Sequence, residues 1–486
     1  MSHKYTQLDF DPADFNQWMH RVADLISEFQ ETLDDRKAFQ NRSPLEMARM
    51  FEASLPENGQ PMEQIFEEIQ TKVMDEATLN IGPHFYSYVL SPSNQAGMLA
   101  EFIATYLNEN TTKWHLNSAG AEIEKRIIEW IADFIHYPGK RGGILLSGGS
   151  TANLVCLNVA RNQMAGFDMN FEGLSQKRPM IIYVSDQVHY CVDKSCAMLG
   201  IGSKHVRKVP TTDAFHMDTE YLTRQIEKDL LEGLQPFCVV GTAGTVNTGA
   251  IDPLEEIAEI CSKYGLWFHV DAAYGGPAAA VEEYREDFKG LDKADSIAID
   301  PHKWLYVPIE AGCALFKNPK HLKETFSFVP EYLVGDRVSE RTDFMEYGPQ
   351  LTRSFKSLKT WVTFKFYGAQ KLREAIHDDI RKASYVGEVM NQKKDFEVLS
   401  EPSLSITCFR YKPSGVSMSE EELNALNSNL IDELEKEGKV FITGTTIKGR
   451  KALRICIVNH RTQKEHLDFM IRTVEETAKK LNLHEA

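Results

Sequence analysis

Several features whose presence would each have assigned this chain to a class are missing from it. No apolar run approaches the length that crosses a bilayer, and the opening residues SHKYTQLDF after Met1 carry no apolar core of a secretory signal. The eight cysteines form no CxxC pair, which removes the usual zinc and thioredoxin-like spacings and leaves buried free thiols as the expectation. The histidines fall at no metal-ligand spacing, so no metal site is expected. Positive charge is scarce, with 54 Lys and Arg against 70 Asp and Glu, and a formal charge of −16 argues against a nucleic-acid or anionic-membrane partner. Neither GxGxxG nor GxxxxGK[ST] occurs, which leaves a nucleotide-binding reading with only a Gly-rich loop. There are no internal repeats and no low-complexity segment. A cytoplasmic globular protein is expected.

The 486 residues exceed one simple domain and suit a large domain with appendages. Residues 11–80 are helical in pattern, with Phe15, Trp18, Met19, Val22, Ala23, Leu25 and Ile26 recurring near a 3.6 period. From 143 to 316, short β-rich runs alternate with helical segments. The runs are 143–146, 180–184, 204–209, 237–241, 266–270, 296–299 and 312–316. Most are continuously apolar, as strands buried on both faces must be. Such alternation predicts an α/β fold with a mostly parallel, seven-stranded sheet. A long helical stretch follows over 358–386. The pattern then changes to alternating strands at 405–411 and 452–458, and to a final helix opened by a capping box at Thr462 and Glu465. The expected division is a helical arm over 1–82, a large domain over 83–375 and a small α+β domain over 376–486.

Two strand ends carry the chemistry. The strand at 266–270 runs into Asp271, and the strand at 296–299 stops at a Pro-His-Lys turn containing Lys303. Ligands of open α/β sheets bind in the crevice beyond the carboxyl ends of the strands. A lysine and an acid there match the protein's half of pyridoxal phosphate (PLP) chemistry: the lysine for a Schiff base, the acid for the pyridinium nitrogen. Ala273 is small enough to let a flat ring lie against the chain. The loop Ser147-Gly148-Gly149-Ser150-Thr151 follows a strand and precedes a helix at 154–161, an arrangement that presents N–H groups to a phosphate.

The segments HVDAAYGG (269–276) and DSIAIDPHKW (295–304) resemble the group II PLP-dependent amino-acid decarboxylases. Across the motifs the chain resembles the bacterial aromatic-L-amino-acid and tryptophan decarboxylases. The resemblance runs from about Pro83 to the C-terminus. It implies a fold-type I architecture and a homodimer with shared active sites, across whose interface the N-terminal arm packs. It also implies phosphate contacts at Gly149 and Ser150, a ring-stacking His189, and His302 near the phosphate. Gly244-Thr245-Val246 departs from the family's Gly-Thr-Thr, so Thr245 is the remaining hydroxyl of that motif near the cofactor. Tyr332 matches the family's catalytic-loop tyrosine, which protonates the carbon left by CO2 in the neighbouring subunit's site. Some relatives with Phe there form aldehydes instead. Tyr88, Val89, Leu90 and Ser91 match pocket positions, joined by residues 108–112 from the partner. Arg454, a charge within an apolar strand, requires a partner. It is read either as a salt bridge at a domain interface or as a substrate-carboxylate ligand. The expected reaction is decarboxylation of an L-amino acid, aromatic in preference to acidic or diamino, with oxidative decarboxylation to an aldehyde as another PLP reaction.

Overall fold

The computed structural model describes residues 8–174, 178–328 and 341–484. The chain divides into two compact units. One comprises residues 1–86, 425–442 and 461–486, the other residues 87–424 and 443–460.

The first unit is helical. Helix α1 (Pro12–Glu31) is capped by Asp11, whose carboxylate accepts from the Ala13 N–H. It buries Leu25 and Phe29, the latter packing with Leu33 and Leu79. Two shorter helices, Pro44–Met50 and Met62–Glu68, complete the expected helical pattern of the arm. The C-terminal helix Lys464–His484 also belongs to this unit. Its expected capping box does not form as read. The Thr462 hydroxyl donates to the Pro83 carbonyl at 3.0 Å, and the Gln463 N–H donates to His466 Nδ1 at 2.9 Å. The helix begins at Lys464, so Gln463 rather than Thr462 stands at its cap position.

The second unit carries a seven-stranded sheet. Its strands are β1 (Gly142–Leu146), β2 (Met180–Ser185), β3 (Val206–Val209), β4 (Gln235–Thr242), β5 (Trp267–Asp271), β6 (Ser296–Ile299) and β7 (Gly312–Phe316). The order is β1-β7-β6-β5-β4-β2-β3. All neighbours are parallel except β7, which runs antiparallel to both β1 and β6. Every residue of β2, β5, β6 and β7 is buried, which explains their unbroken apolar sequences. β3 begins at Val206 rather than at the start of the expected run at 204, because Gly202 at φ 83° turns the chain into a short 3₁₀ segment, Ser203–His205. A smaller antiparallel sheet contains β8 (Phe396–Ser403), β9 (Ile406–Tyr411), β10 (Thr443–Ile447) and β11 (Arg450–Cys456), in the order β10-β11-β9-β8. All eight cysteines are free and buried.

Three further helices position the site. α2 (Gln95–Leu107) is capped by Asn94, which accepts from the Gly97 N–H at 2.7 Å and donates through Nδ2 to the Tyr306 carbonyl at 2.8 Å. α3 (Ser118–Phe134) supplies Glu124, which accepts from the Leu145 N–H of β1 at 2.9 Å. Glu124 is also paired with Arg353, whose guanidinium donates to the carbonyls of Leu145 and Thr111, each at 2.9 Å. α4 (Gly149–Met164) begins at Gly149 rather than beyond the Gly-rich loop, so that loop forms the helix's first turn. A long helix, α5 (Lys356–Asn391), is interrupted at Gly368, where φ is 72°.

Both partners of the Glu124–Arg353 pair are at least 97% buried in their relative exposure of 1% and 3%. Glu124→Ala leaves an uncompensated buried guanidinium and is expected to cost about 3–5 kcal/mol. Urea unfolding followed by circular dichroism checks this, and a change below about 1 kcal/mol contradicts it.

Candidate active site

The parallel ladder places three residues side by side at its carboxyl end: Thr242 of β4 is in register with Asp271 of β5, and Asp271 with Ala298 of β6. Beyond this edge lies a cavity of about 390 Å³. Its lining brings together Asp271, Ala273, His302, Lys303, His189, Gly149 and Ser150 with Tyr88, from the residues singled out in the sequence. Asn153, Cys191, Thr242, Tyr274 and Asp300 also line it.

Asp271 is buried and accepts from the Ala273 N–H at 3.2 Å. Behind it on β5, His269 bonds Asn153 Oδ1 through Nε2 at 2.8 Å and Ser296 Oγ through Nδ1 at 3.0 Å. Burial drives the His269 pKa down to about 4, so the imidazole is neutral although Asp271 opposes the shift.

The Lys303 turn is held from several sides. Ser91 Oγ donates to the His302 carbonyl at 3.0 Å. Trp304 Nε1 and the Tyr306 hydroxyl both donate to Asp379 Oδ2, at 3.1 and 2.7 Å. The Trp304 ring stacks on Tyr274 with centroids 5.0 Å apart. Lys303 Nζ lies 3.0 Å from Asp300 Oδ2. Burial disfavours the ammonium, but Asp300 and Asp271 outweigh it and hold the Lys303 pKa above the ordinary lysine value.

The two cavity histidines are shifted the other way. Burial lowers the pKa of His302, against the pull of Asp300, and its Nδ1 accepts from the Ala311 N–H at 3.0 Å. Burial likewise lowers that of His189, against Asp271. Both rings are neutral near pH 7.

The Gly-rich loop has no room for side chains. Gly148 has φ 147°, and a Cβ there would meet His302 Cε1 at 3.0 Å. A Cβ on Gly149 would lie 2.6 Å from Asp300 Oδ2 and 3.1 Å from the Ala273 Cβ. The first turn of α4 presents N–H groups at this point, where the helix dipole favours an anion.

Other expected site residues lie outside the lining. Thr245 is buried, with its hydroxyl 3.0 Å from that of Thr248, while its neighbours Gly244 and Val246 face the cavity. Ser91 acts on the backbone of the Lys303 turn rather than on the cavity itself. Arg454 forms no salt bridge among the described residues. Its Nε donates to the Val246 carbonyl at 2.7 Å and Nη1 to the Tyr88 carbonyl at 3.2 Å, tying two parts of the cavity wall together. Two main-chain carbonyls thus take Nε and Nη1, while Nη2 is buried with no hydrogen-bond partner among the described residues. Thr111 and Thr112 bond to the carbonyls of Arg353 and Leu351. Tyr332 lies outside the described residues.

Asp300, Thr242, Asn153 and Cys191 are cavity residues that the sequence motifs did not single out. Asp300 stands within the Lys303 motif itself, three positions before the lysine. Asn153 is one helical turn after Gly149, where its Nδ2 donates to the Gly149 carbonyl at 2.9 Å. The Thr242 hydroxyl is buried with no hydrogen-bond partner among the described residues. This orphaned donor, the side-chain-free cradle at Gly148 and Gly149, and an acid and a lysine on one wall fit a flat, phosphorylated aldehyde cofactor.

The comparisons with known proteins agree with that fit. The pyridoxal-dependent decarboxylase conserved domain matches residues 44–412. An aromatic-L-amino-acid decarboxylase of Bacillus atrophaeus is 31% identical over 478 residues, covering 98% of both chains. A phenylacetaldehyde synthase of a Rosa hybrid cultivar is 29% identical, covering 96% of this chain and 94% of its own. The structure of Oryza sativa TDC with PLP and tryptamine superposes with a TM-score of 0.92 at 26% identity, covering 98% of this chain and 99% of that one. The chain belongs to the pyridoxal-dependent decarboxylases, the group II PLP enzymes of fold type I that remove the carboxylate of an amino acid.

Proposed function

We propose that this protein converts an aromatic L-amino acid to its amine and CO2, working in the cytoplasm as a homodimer with shared active sites. The observation that carries this reading is the meeting of Asp271, Lys303, His189 and the Gly149–Ser150 turn around one cavity beyond the strand ends. The apolar Tyr88 and Val89 in its wall support an aromatic side chain as the occupant.

When bound, PLP supplies the electron sink for the pair left behind by departing CO2. In this reading Lys303 provides the amine that holds the cofactor. The Asp271 carboxylate stabilises positive charge on the ring nitrogen. The neutral His189 ring offers a flat face without adding charge. The N–H groups of Gly149 and Ser150 receive the phosphate, and neutral His302 borders the same end. Ala273 keeps space for the ring. Thr245 braces the turn whose neighbours face the cavity, and Ser91 steadies the Lys303 turn. Arg454 acts on substrate through the Tyr88 and Val246 segments that it holds together. The tight task is orientation: the scissile bond must stand perpendicular to the ring.

The dimer is supported by an apolar stripe on α2. Leu99, Ile103 and Tyr106 recur at helical spacing and are 64%, 57% and 79% exposed on the isolated chain. A second copy would cover that stripe. It would also bring residues 108–112 and the Tyr332 loop to the neighbouring site, with residues 1–82 packing across the interface. The large domain over 83–375 would then carry the chemistry and residues 376–486 the smaller α+β portion.

The deciding assay offers PLP-loaded protein the proteinogenic amino acids together with DOPA, 5-hydroxytryptophan, 2,4-diaminobutyrate and cysteine sulfinate, with products read by mass spectrometry. An aromatic amine with equimolar CO2 is expected. A diamine or an amine of an acidic residue would replace the substrate assignment, and an aldehyde with peroxide would replace the reaction. For Tyr332→Phe, cofactor binding should persist while amine formation falls by about 100-fold or more and aldehyde appears. Unchanged amine formation would remove Tyr332 from the mechanism.

A further inference from the structure

Asp300 is the cavity residue whose environment the proposed reaction leaves unexplained. Its side chain is 1% exposed, and neither carboxylate oxygen has a hydrogen-bond partner of ordinary geometry among the described residues. Its compensation is ionic. Lys303 Nζ stands 3.0 Å away, and His302 Nε2 is at 3.9 Å from the same oxygen. A buried carboxylate without hydrogen bonds is costly unless a cation faces it. With His302 neutral, that cation is Lys303. Asp300 also lies directly beneath the phosphate-binding turn, as the 2.6 Å approach of its Oδ2 to a Cβ built on Gly149 shows.

We propose that Asp300 is a positioning residue that holds Lys303 as an ammonium at the Gly149 end of the cavity, so that cofactor capture requires this ion pair to open. The role rests on the reading of Lys303 as the cofactor lysine. An amine attacks an aldehyde only through its free lone pair, so an ammonium locked to a carboxylate is slow to react. The same contact aims Nζ, because the Asp300 side chain is itself buried and cannot follow the lysine into solvent. The other groups facing Lys303 are Asp271 from β5, His189 and Cys191 from the segment after β2, and His302 from its own turn. Lys359 of α5 acts on His302. Of these, Asp271 is the second carboxylate, and it remains when Asp300 is neutralised.

The test uses cofactor-free full-length protein. Lys303 is pulse-acetylated across a pH series and the modified peptide quantified by mass spectrometry. In the wild type the residue should resist acetylation beyond the pH at which an ordinary lysine, with a pKa of about 10.4, becomes reactive. Asp300→Asn should move the profile down by about 1 pH unit or more. At a fixed pH below both midpoints it should speed PLP capture, read by absorbance, by about tenfold. Asp300→Glu keeps the charge and should lie closer to wild type. Asp300→Ser is the second neutral variant and should shift with Asn, guarding against a local disturbance by either. Superposable wild-type and Asp300→Asn profiles, or Asp300→Glu matching Asp300→Asn, overturn the proposal. The profile is measured without cofactor and is therefore separate from the function itself. A Lys303→Ala protein that still captured PLP covalently would defeat the reading of Lys303, not the ion pair.

Discussion

The register of three parallel strands is the constraint on which the rest of the site depends. β4, β5 and β6 are buried on both faces, so their hydrogen-bond ladder cannot slip without moving apolar side chains and leaving backbone groups unpaired. That ladder fixes Thr242, Asp271 and Ala298 in line. From there the chain has one turn in which to bring Asp300, His302 and Lys303 over the same edge. The turn is clamped by donors to the His302 and Tyr306 carbonyls and by Asp379 beneath Trp304 and Tyr306. Chemistry at this edge is thus a consequence of where a buried sheet has to end.

Electrostatics then sort the ionisable groups. Two carboxylates face one lysine, and the histidines are kept neutral by burial. This arrangement leaves a partial positive charge at the N-terminus of α4, where a phosphorylated aldehyde offers its anion, and an ammonium at Lys303 that faces both carboxylates. It leaves negative charge at Asp271, where a ring nitrogen gains a proton most easily. A polar wall of this kind needs an apolar one to select a side chain. Val89 and Tyr88 provide it, and the guanidinium of Arg454 ties the Tyr88 backbone to that of Val246.

All seven strands of the large sheet were legible, because most are covered on both faces, so apolar throughout, and separated by helical patterns; β3, Val206–Val209, is partly exposed. Asp271 and Lys303 were legible because an acid and a base at the ends of two such strands have few structural reasons to be there. The hydrogen-bond partners were not. Arg454 signalled a need for a partner, yet sequence does not tell a carbonyl from a carboxylate. Thr462 had the spacing of a cap, but the helix starts one residue later than that spacing requires, at Lys464. Asp300 was hidden by its neighbours: in a Pro-His-Lys turn it reads as a turn former, and only the fold places its carboxylate against both Lys303 and Gly149. Val246 was visible as a departure from the family motif, while the unpartnered hydroxyl of Thr242 on the same wall needed the strand register to be found.

The most direct test of this account is to load the protein with PLP, reduce it with borohydride, digest it and locate the pyridoxyl group by mass spectrometry. The account predicts a single modified lysine, Lys303, and loss of that selectivity, with label spread over many lysines, when the protein is unfolded before the cofactor is added. Label on another lysine of the native protein, or on many lysines equally, would contradict the claim that the ends of β5 and β6 form the cofactor site.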